Sequence, residues 1–287
     1  MQVTVKAPAK LNLTLDVVGT RADGYHLLES IMQTVDRYDT LTAIRAEEIT
    51  LTVVGGDPCP TEKNTAYKAA RAFFRETGIA GGVAMTLEKT IPQQAGMGGG
   101  SADAAAALWA LNRLYDTRLS AEKLCAIGVQ VGADVPFCVL GGTAFVTGIG
   151  EGLQPLLPLP DCYIVVAKPD EGVSTAEAYA AIDRASCLRH PDHDKALNAI
   201  AAGNLPAVCA QAVNVFEEVT ALPGVQAIRQ TMDAFSPLCS RMTGSGSAVF
   251  AVFANREQAE ACAARLKQGW PTVFLCRPCS GVEIFSE

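Results

Sequence analysis

"GMGGGSADAAAAL", residues 96–108, sets four glycines and a serine against a run of alanines. Ordered glycine costs conformational entropy. A glycine cluster that abuts a strong helix former therefore needs a reason beyond flexibility. The N–H groups of a helix's first turn have no partner inside the helix and carry partial positive charge, which makes them an anion site. Several of them can reach one phosphate only where side chains are absent. Gly96, Gly98, Gly99 and Gly100 meet that demand, and Ser101 adds a hydroxyl. The stretch reads as a phosphate cradle ahead of a helix from about Ala102 to Tyr115. No Gly-Lys dipeptide occurs in the chain, which excludes a Walker A loop, and Ser101 stands where a dinucleotide fingerprint needs its last glycine. HRD, DFG and G-x-S-x-G motifs are absent as well.

Upstream of the cradle, residues 2–18 alternate. Leu11, Leu13, Leu15 and Val17 are expected on one face, and Lys10, Asn12, Thr14 and Asp16 on the other. "RADGYHLL" (21–28) reads as a turn carrying Tyr25 and His26, and 31–54 as further strands. Residues 64–78 read as a helix, with Asn64 as N-cap and Gly78 as its stop. Val83, Met85 and Leu87 alternate as a strand that ends before Pro92, and Lys89 interrupts its apolar pattern.

Downstream, a helix covers about 120–131. "GADVPFCVLGGTAFVTGIGE" (132–151) reads as a turn, a short element and a glycine-rich hairpin. Three prolines in 154–162 mark the boundary between a domain 1–155 and a domain 156–287. The second half reads as a strand at 163–169, helices over 174–235, a strand at 248–253, a helix at 255–268 and strand at 271–285. This mixed order predicts α+β in both halves.

Composition narrows the function. A chain of 287 residues that is 49% hydrophobic and 18% charged can build two cores. A net charge of −7 without a basic stripe argues against a nucleic-acid polymer as partner. No apolar run approaches ~18 residues, so no membrane partner is expected. The ten cysteines form no framework, which suits reduced thiols in a cytoplasmic protein. Cys276-Arg-Pro-Cys279 lacks a second pair, and His190-Pro-Asp-His193 lacks a third ligand, so no metal cluster is expected.

"PQQAGMGGGSADAAAAL" (92–108) resembles the second motif of the GHMP kinase superfamily, the galacto-, homoserine, mevalonate and phosphomevalonate kinases. "KAPAKLNLTLDVVGTRADGYHLLES" (6–30) resembles the first motif and "SRMTGSGSAVFAVF" (240–253) the third. Their order is that of the superfamily, and they span most of the chain. "AKLNL", "RADGYH", "GADVPF" (132–137) and "GIGE" (148–151) are similar to one branch, whose substrate is a cytidine diphosphate-linked methylerythritol of the non-mevalonate isoprenoid pathway. Two letters depart from the family loop, Met97 for leucine and Ala102 for serine. Ala102 removes a second hydroxyl and leaves Ser101 alone.

The resemblance implies a two-domain α+β fold. Its N-terminal domain would be like the second domain of ribosomal protein S5, its C-terminal domain ferredoxin-like, with the site in the cleft. It also implies ATP and Mg²⁺ as cofactors, with Ser101 as the one candidate ligand for the ion. Asp134 falls on the family's catalytic aspartate, a base for the acceptor hydroxyl, and Lys10 on its catalytic lysine. By residue type alone Asp134 could equally cap a helix or turn, and Lys10 could lie on a solvated strand face. Asn64 resembles the contact near adenine, and Lys89 suits a phosphate or nucleotide contact. Tyr25 and His26 resemble the cytidine site, where a ring stacks on the base and a histidine reads its edge. Tyr179 matches a second aromatic that closes the other face, and Thr175 and Asn12 are candidate polar contacts to substrate. Gly244, Ser245 and Gly246 are expected beside the phosphate loop. Another small-molecule kinase of the superfamily and a non-catalytic nucleotide sensor on the same fold are the competing readings. Monomer and homodimer both stay open.

Overall fold

The computed structural model describes residues 1–286. The chain opens with two long strands, β1 (Gln2–Thr20) and β2 (His26–Ala46), paired antiparallel along their length. β3 (Thr50–Val54), α1 (Thr65–Thr77) and β4 (Gly82–Glu88) follow. The expected set of strands over 31–54 is thus mostly one continuous strand. β2 stays extended because it meets β5 (Thr143–Gly148) through its first half and β4 through its second. The loop 92–98 then leads into α2 (Gly99–Leu114), and α3 (Ala121–Gly128) and α4 (Val135–Leu140) lie between α2 and β5. β6 (Gly152–Pro155) closes the hairpin with β5.

Asn64 and Gly78 behave as their types predict. The Asn64 side chain accepts a hydrogen bond from the Ala66 amide, and Gly78 ends α1 at a φ of 67°. α2 is buried almost all round. Ala102, Ala104, Ala105 and Ala107 are fully excluded from solvent, and their small side chains allow close packing against the sheet and α1. A hydroxyl at position 102 would therefore lie in the core, so Ala102 belongs to packing.

The second half begins with β7 (Tyr163–Lys168), and α5 (Thr175–Arg184), α6 (His193–Ala201) and α7 (Leu205–Ala210) follow. α8 (Pro223–Asp233), β8 (Cys239–Met242), β9 (Val249–Phe253), α9 (Arg256–Leu266) and β10 (Thr272–Cys276) come next. The sheet order is β10-β7-β9-β8, all antiparallel, with α8 and α9 packed on it. This is the βαββαβ pattern of a ferredoxin-like domain. The expected boundary at 154–162 falls between the two sheets, but the last strand, β11 (Glu283–Ser286), returns to pair with β1. α6 and α7 contribute Ala196, Ile200, Leu205 and Val208 to the larger core, which draws residues from both sheets.

The alternation along β1 holds only to Leu13. Asn12 pairs with Met32 and Thr14 with Ile31, so one extra residue is inserted between them. Such a bulge shifts the period of 2. Leu11 and Leu13 pack in the first core, while Leu15 packs in the second. Lys10, Asn12, Thr14 and Asp16 are all buried, so the polar face of β1 is an interior wall rather than a solvated one.

Candidate active site

α2 starts three residues earlier than its composition suggests. Gly98 sits in the left-handed region at a φ of 68°, and the first helical bond runs from the Ala102 amide to the Gly98 carbonyl at 2.8 Å. The amides of Gly99, Gly100 and Ser101 thus open the helix without helical partners. The glycines also serve packing that the sequence does not announce. A Cβ on Gly96 would lie 2.0 Å from the Thr243 carbonyl oxygen. One on Gly98 would lie 2.8 Å from Lys10 Cγ. The loop is bare partly so that the third motif and the stem of Lys10 can reach it.

Lys10 and Asp134 meet at this point. Lys10 Nζ stands 3.4 Å from Asp134 Oδ2 and donates to Asn12 Oδ1 at 2.7 Å. Asn12 is held in turn. Its amide nitrogen Nδ2 donates to Ser30 Oγ at 2.8 Å, and its backbone N–H donates to Thr243 Oγ1 at 3.0 Å. Asp134 occupies the N-cap position of α4 yet makes no capping hydrogen bond. Its carboxylate is free for other work, and its side chain is 32% exposed while that of Lys10 is 5% exposed.

Two cavities meet at the loop. The larger, about 770 Å³, is walled by Asn64, Thr65, Lys89, Asp103 and the glycines 96 and 98–100. The smaller, about 250 Å³, is walled by Lys10, Asn12, Asp134, Thr175, Tyr179 and Ser245. The structure thus gathers the residues expected at the nucleotide, Ser101 excepted, in one cavity and Asn12, Thr175 and Tyr179 with the expected catalytic pair in the other. Thr175 Oγ1 and Ser245 Oγ share a hydrogen bond at 3.2 Å, which ties α5 to the third motif. Ser101 lines neither cavity, but its Oγ lies 4.0 Å from where a Cβ on Gly132 would be, at the start of the Asp134 turn.

Lys89 is not a free cation. Its ammonium donates to Asp103 Oδ2 at 2.6 Å and also to Asp39, and all three side chains are buried. Asp39 additionally accepts the Ile91 amide at 2.8 Å. One lysine therefore serves two acidic side chains beneath the larger cavity. Burial lowers the affinity of Lys89 for its proton, but Asp103 and Asp39 outweigh it and raise the pKa. Burial pushes the Asp103 carboxyl up to about 8, with Lys89 opposing and Asp39 adding to the rise. Asp103 Oδ1 is buried and has no hydrogen-bond partner in the protein.

A carboxyl raised in the folded state holds its proton more tightly there than in the unfolded chain. Its contribution to stability is complete in acid and is lost as the pH rises through about 8. The stability of the wild-type protein, measured by urea denaturation, is expected to fall more steeply between about pH 7 and about pH 9 than that of Asp103→Asn. Parallel slopes would mean that Asp103 carries no such proton.

The residues expected at cytidine are arranged differently from a simple sandwich. His26 stacks on Tyr179, with ring centroids 4.5 Å apart and an interplanar angle of 25°. His26 Nε2 bonds Asp183 at 2.8 Å, one helical turn beyond Tyr179. Tyr25 lies on the turn and is 61% exposed. Tyr179 also meets the edge of Phe216, and burial, helped by the charge of Asp134, pushes its phenol up to about 12.

Sequence reasoning missed several participants. Asp39 and Asp103 lie 50 and 14 residues from Lys89 in sequence, and Ser30 reaches Asn12 from β2 and Thr243 from the loop after β8. The two histidines 190 and 193 are engaged with Asp16 and Glu29. Among the described residues no cluster of three or more His, Cys, Asp or Glu could hold a metal, and no helix is long and apolar enough to cross a membrane. All ten cysteines, Cys276 and Cys279 included, are free.

The chain is similar to known proteins over nearly its whole length. The family model for the GHMP kinases N terminal domain matches residues 64–142, and that for the GHMP kinases C terminal region matches 194–272. A 4-diphosphocytidyl-2-C-methyl-D-erythritol kinase of Clostridium tetani is 40% identical over 276 residues, which cover 95% of this chain and 99% of that relative. One from Caldicellulosiruptor saccharolyticus is 42% identical over 286 residues, 98% of each chain. A crystal structure of 4-(cytidine 5'-diphospho)-2C-methyl-D-erythritol kinase superposes with a TM-score of 0.81 at 35% identity, covering 97% of this chain and 100% of that one. A homoserine kinase of Cytophaga hutchinsonii superposes at 0.79 with 19% identity over 99% of this chain and 97% of that one, a likeness of fold alone.

Proposed function

The chain belongs to the GHMP kinases, and from that membership we infer its reaction: ATP-dependent phosphorylation of the 2-hydroxyl of 4-diphosphocytidyl-2-C-methyl-D-erythritol in the non-mevalonate isoprenoid pathway. The observation that carries the mechanism is the meeting of two cavities at the glycine loop, with Lys10 and Asp134 beside the junction. Phosphoryl transfer needs positioning and charge neutralisation more than covalent chemistry.

In this reading ATP lies in the larger cavity, with Asn64 and Lys89 in its wall and its phosphates against the N-terminus of α2. The acceptor lies in the smaller cavity, where Asp134 takes the proton of the attacking hydroxyl. Lys10, aimed by Asn12, balances charge on the attacking oxygen or the γ-phosphate. Mg²⁺ carried in with the nucleotide neutralises phosphate charge when bound. Among the described residues no cluster of acidic or histidine side chains stands ready for it, which fits an ion held mainly by phosphates; Ser101, the candidate ligand from the resemblance, lines neither cavity. Thr175 and Asn12 are polar contacts to the acceptor, while Tyr25, His26 and Tyr179 form its cytidine end. Free thiols and ATP as donor support a cytoplasmic setting.

The direct test is transfer of phosphate from ATP to the diphosphocytidyl substrate, with mevalonate and homoserine as controls. Turnover of a control in preference to the diphosphocytidyl compound would refute the reading. A second measurement isolates the base. Stacking tolerates any base, whereas reading an edge does not. CDP is expected to bind at least about tenfold more tightly than UDP, and His26→Ala to erase most of that preference. Equal affinity of the wild type for CDP and UDP would remove His26 from edge reading.

A further inference from the structure

The two cavities share three wall residues, Gln94, Gly96 and Gly98. Two of them have no side chain. Gln94 is therefore the one side chain at the passage through which a phosphoryl group must move from one cavity to the other. Its backbone is unusual as well. Gln94 has a φ of 51°, in the left-handed region that favours glycine and is strained for a residue with a side chain. Such conformations persist where the surroundings hold them, and they gather at functional sites.

Gln94 is exposed to solvent, and its carboxamide is not engaged by the protein. Among the described residues Gln94 forms no side-chain hydrogen bond, although Oε1 comes within 2.8 Å of where a Cβ on Gly172 would be. Gly172 thus leaves room for the Gln94 side chain. A strained backbone, a passage position and a polar group without a partner in the protein all concern one residue. The neighbouring Gln93 shows the contrast, since its Oε1 accepts the Asp57 amide at 2.7 Å.

We propose that Gln94 is a further catalytic residue, whose carboxamide nitrogen donates a hydrogen bond to the phosphoryl group in transit. The chemistry suits that place. Charge on the equatorial oxygens of a transferring phosphoryl group is stabilised by preorganised donors. A neutral amide adds a donor without a second cation next to Lys10. The proposal rests on the kinase reading above.

The test uses the full-length protein with ATP and 4-diphosphocytidyl-2-C-methyl-D-erythritol. Gln94→Gly accepts the same φ without strain and removes only the side chain. It is expected to lower kcat about tenfold or more, to leave both KM values within about twofold, and not to lower the thermal midpoint. Gln94→Glu keeps the size but replaces the donor with an anion facing phosphate, and is expected to lose more kcat than Gln94→Gly. Wild-type kcat in Gln94→Gly, or a rise in KM alone, would overturn the proposal while leaving the kinase reading intact. Failure of the wild type itself to phosphorylate the acceptor would overturn the kinase reading and this assignment with it.

Discussion

Asp134→Asn is expected to lower kcat by at least ~10²-fold while leaving the affinities for both substrates nearly unchanged. The carboxamide is the same size but cannot take the hydroxyl proton. The local structure has little reason to change. Asp134 makes no capping hydrogen bond to α4, so the helix loses no partner. Lys10 keeps its bond to Asn12 Oδ1 and so stays on the loop. Steady-state kinetics beside an unchanged thermal midpoint would establish the base, whereas a variant with most of its kcat would exclude Asp134 from that role.

Lys89→Met is expected to cost roughly 3–5 kcal/mol of folding stability, the largest effect on the fold foreseen here. Lys89 serves Asp39 and Asp103 together, and all three side chains are shielded from water. Removing the ammonium leaves the buried acidic side chains of Asp39 and Asp103 facing each other with no cation between them. The penalty should be coupled to the second carboxylate, so Lys89→Met/Asp103→Asn is expected to recover much of the loss. Urea denaturation of the two single variants and the double variant measures this directly. Additive losses would mean that Lys89 acts apart from Asp103. Lys89 and Asp103 also form part of the wall of the larger cavity, so the variants report on that cavity as well as on the fold.

What could be read from the sequence was local. The cap at Asn64 and the stop at Gly78 each depend on a few adjacent residues, and each took the form its chemistry demands. Lys10 and Asn12, two apart on one strand, do share a face and a hydrogen bond. What could not be read depends on residues distant in sequence. Nothing near Leu13 announces the bulge that sends Leu15 to a different core, since it arises from the register against β2. Gly96 reads as a phosphate contact, yet its missing side chain also makes room for the carbonyl of Thr243, a residue 147 positions away. Lys89 stands out as an oddity on an apolar strand, but the two carboxylates that claim it come from β2 and α2. Gln94 is unremarkable as a letter. Only its φ and its place between two cavities single it out.

The pairing of β1 with β11 sets an order of assembly. Val3 leaves the ribosome long before its partner on that edge, Ser286, which follows only after both sheets have been made. Through that whole interval the outer edge of β1 presents open N–H and C=O groups, the kind of edge that recruits foreign strands. Synthesis can shape the phosphate loop and the cleft well before then. The sheet that carries Lys10 is sealed on this side by β11, so the nascent chain stays vulnerable on that edge until translation has passed β11.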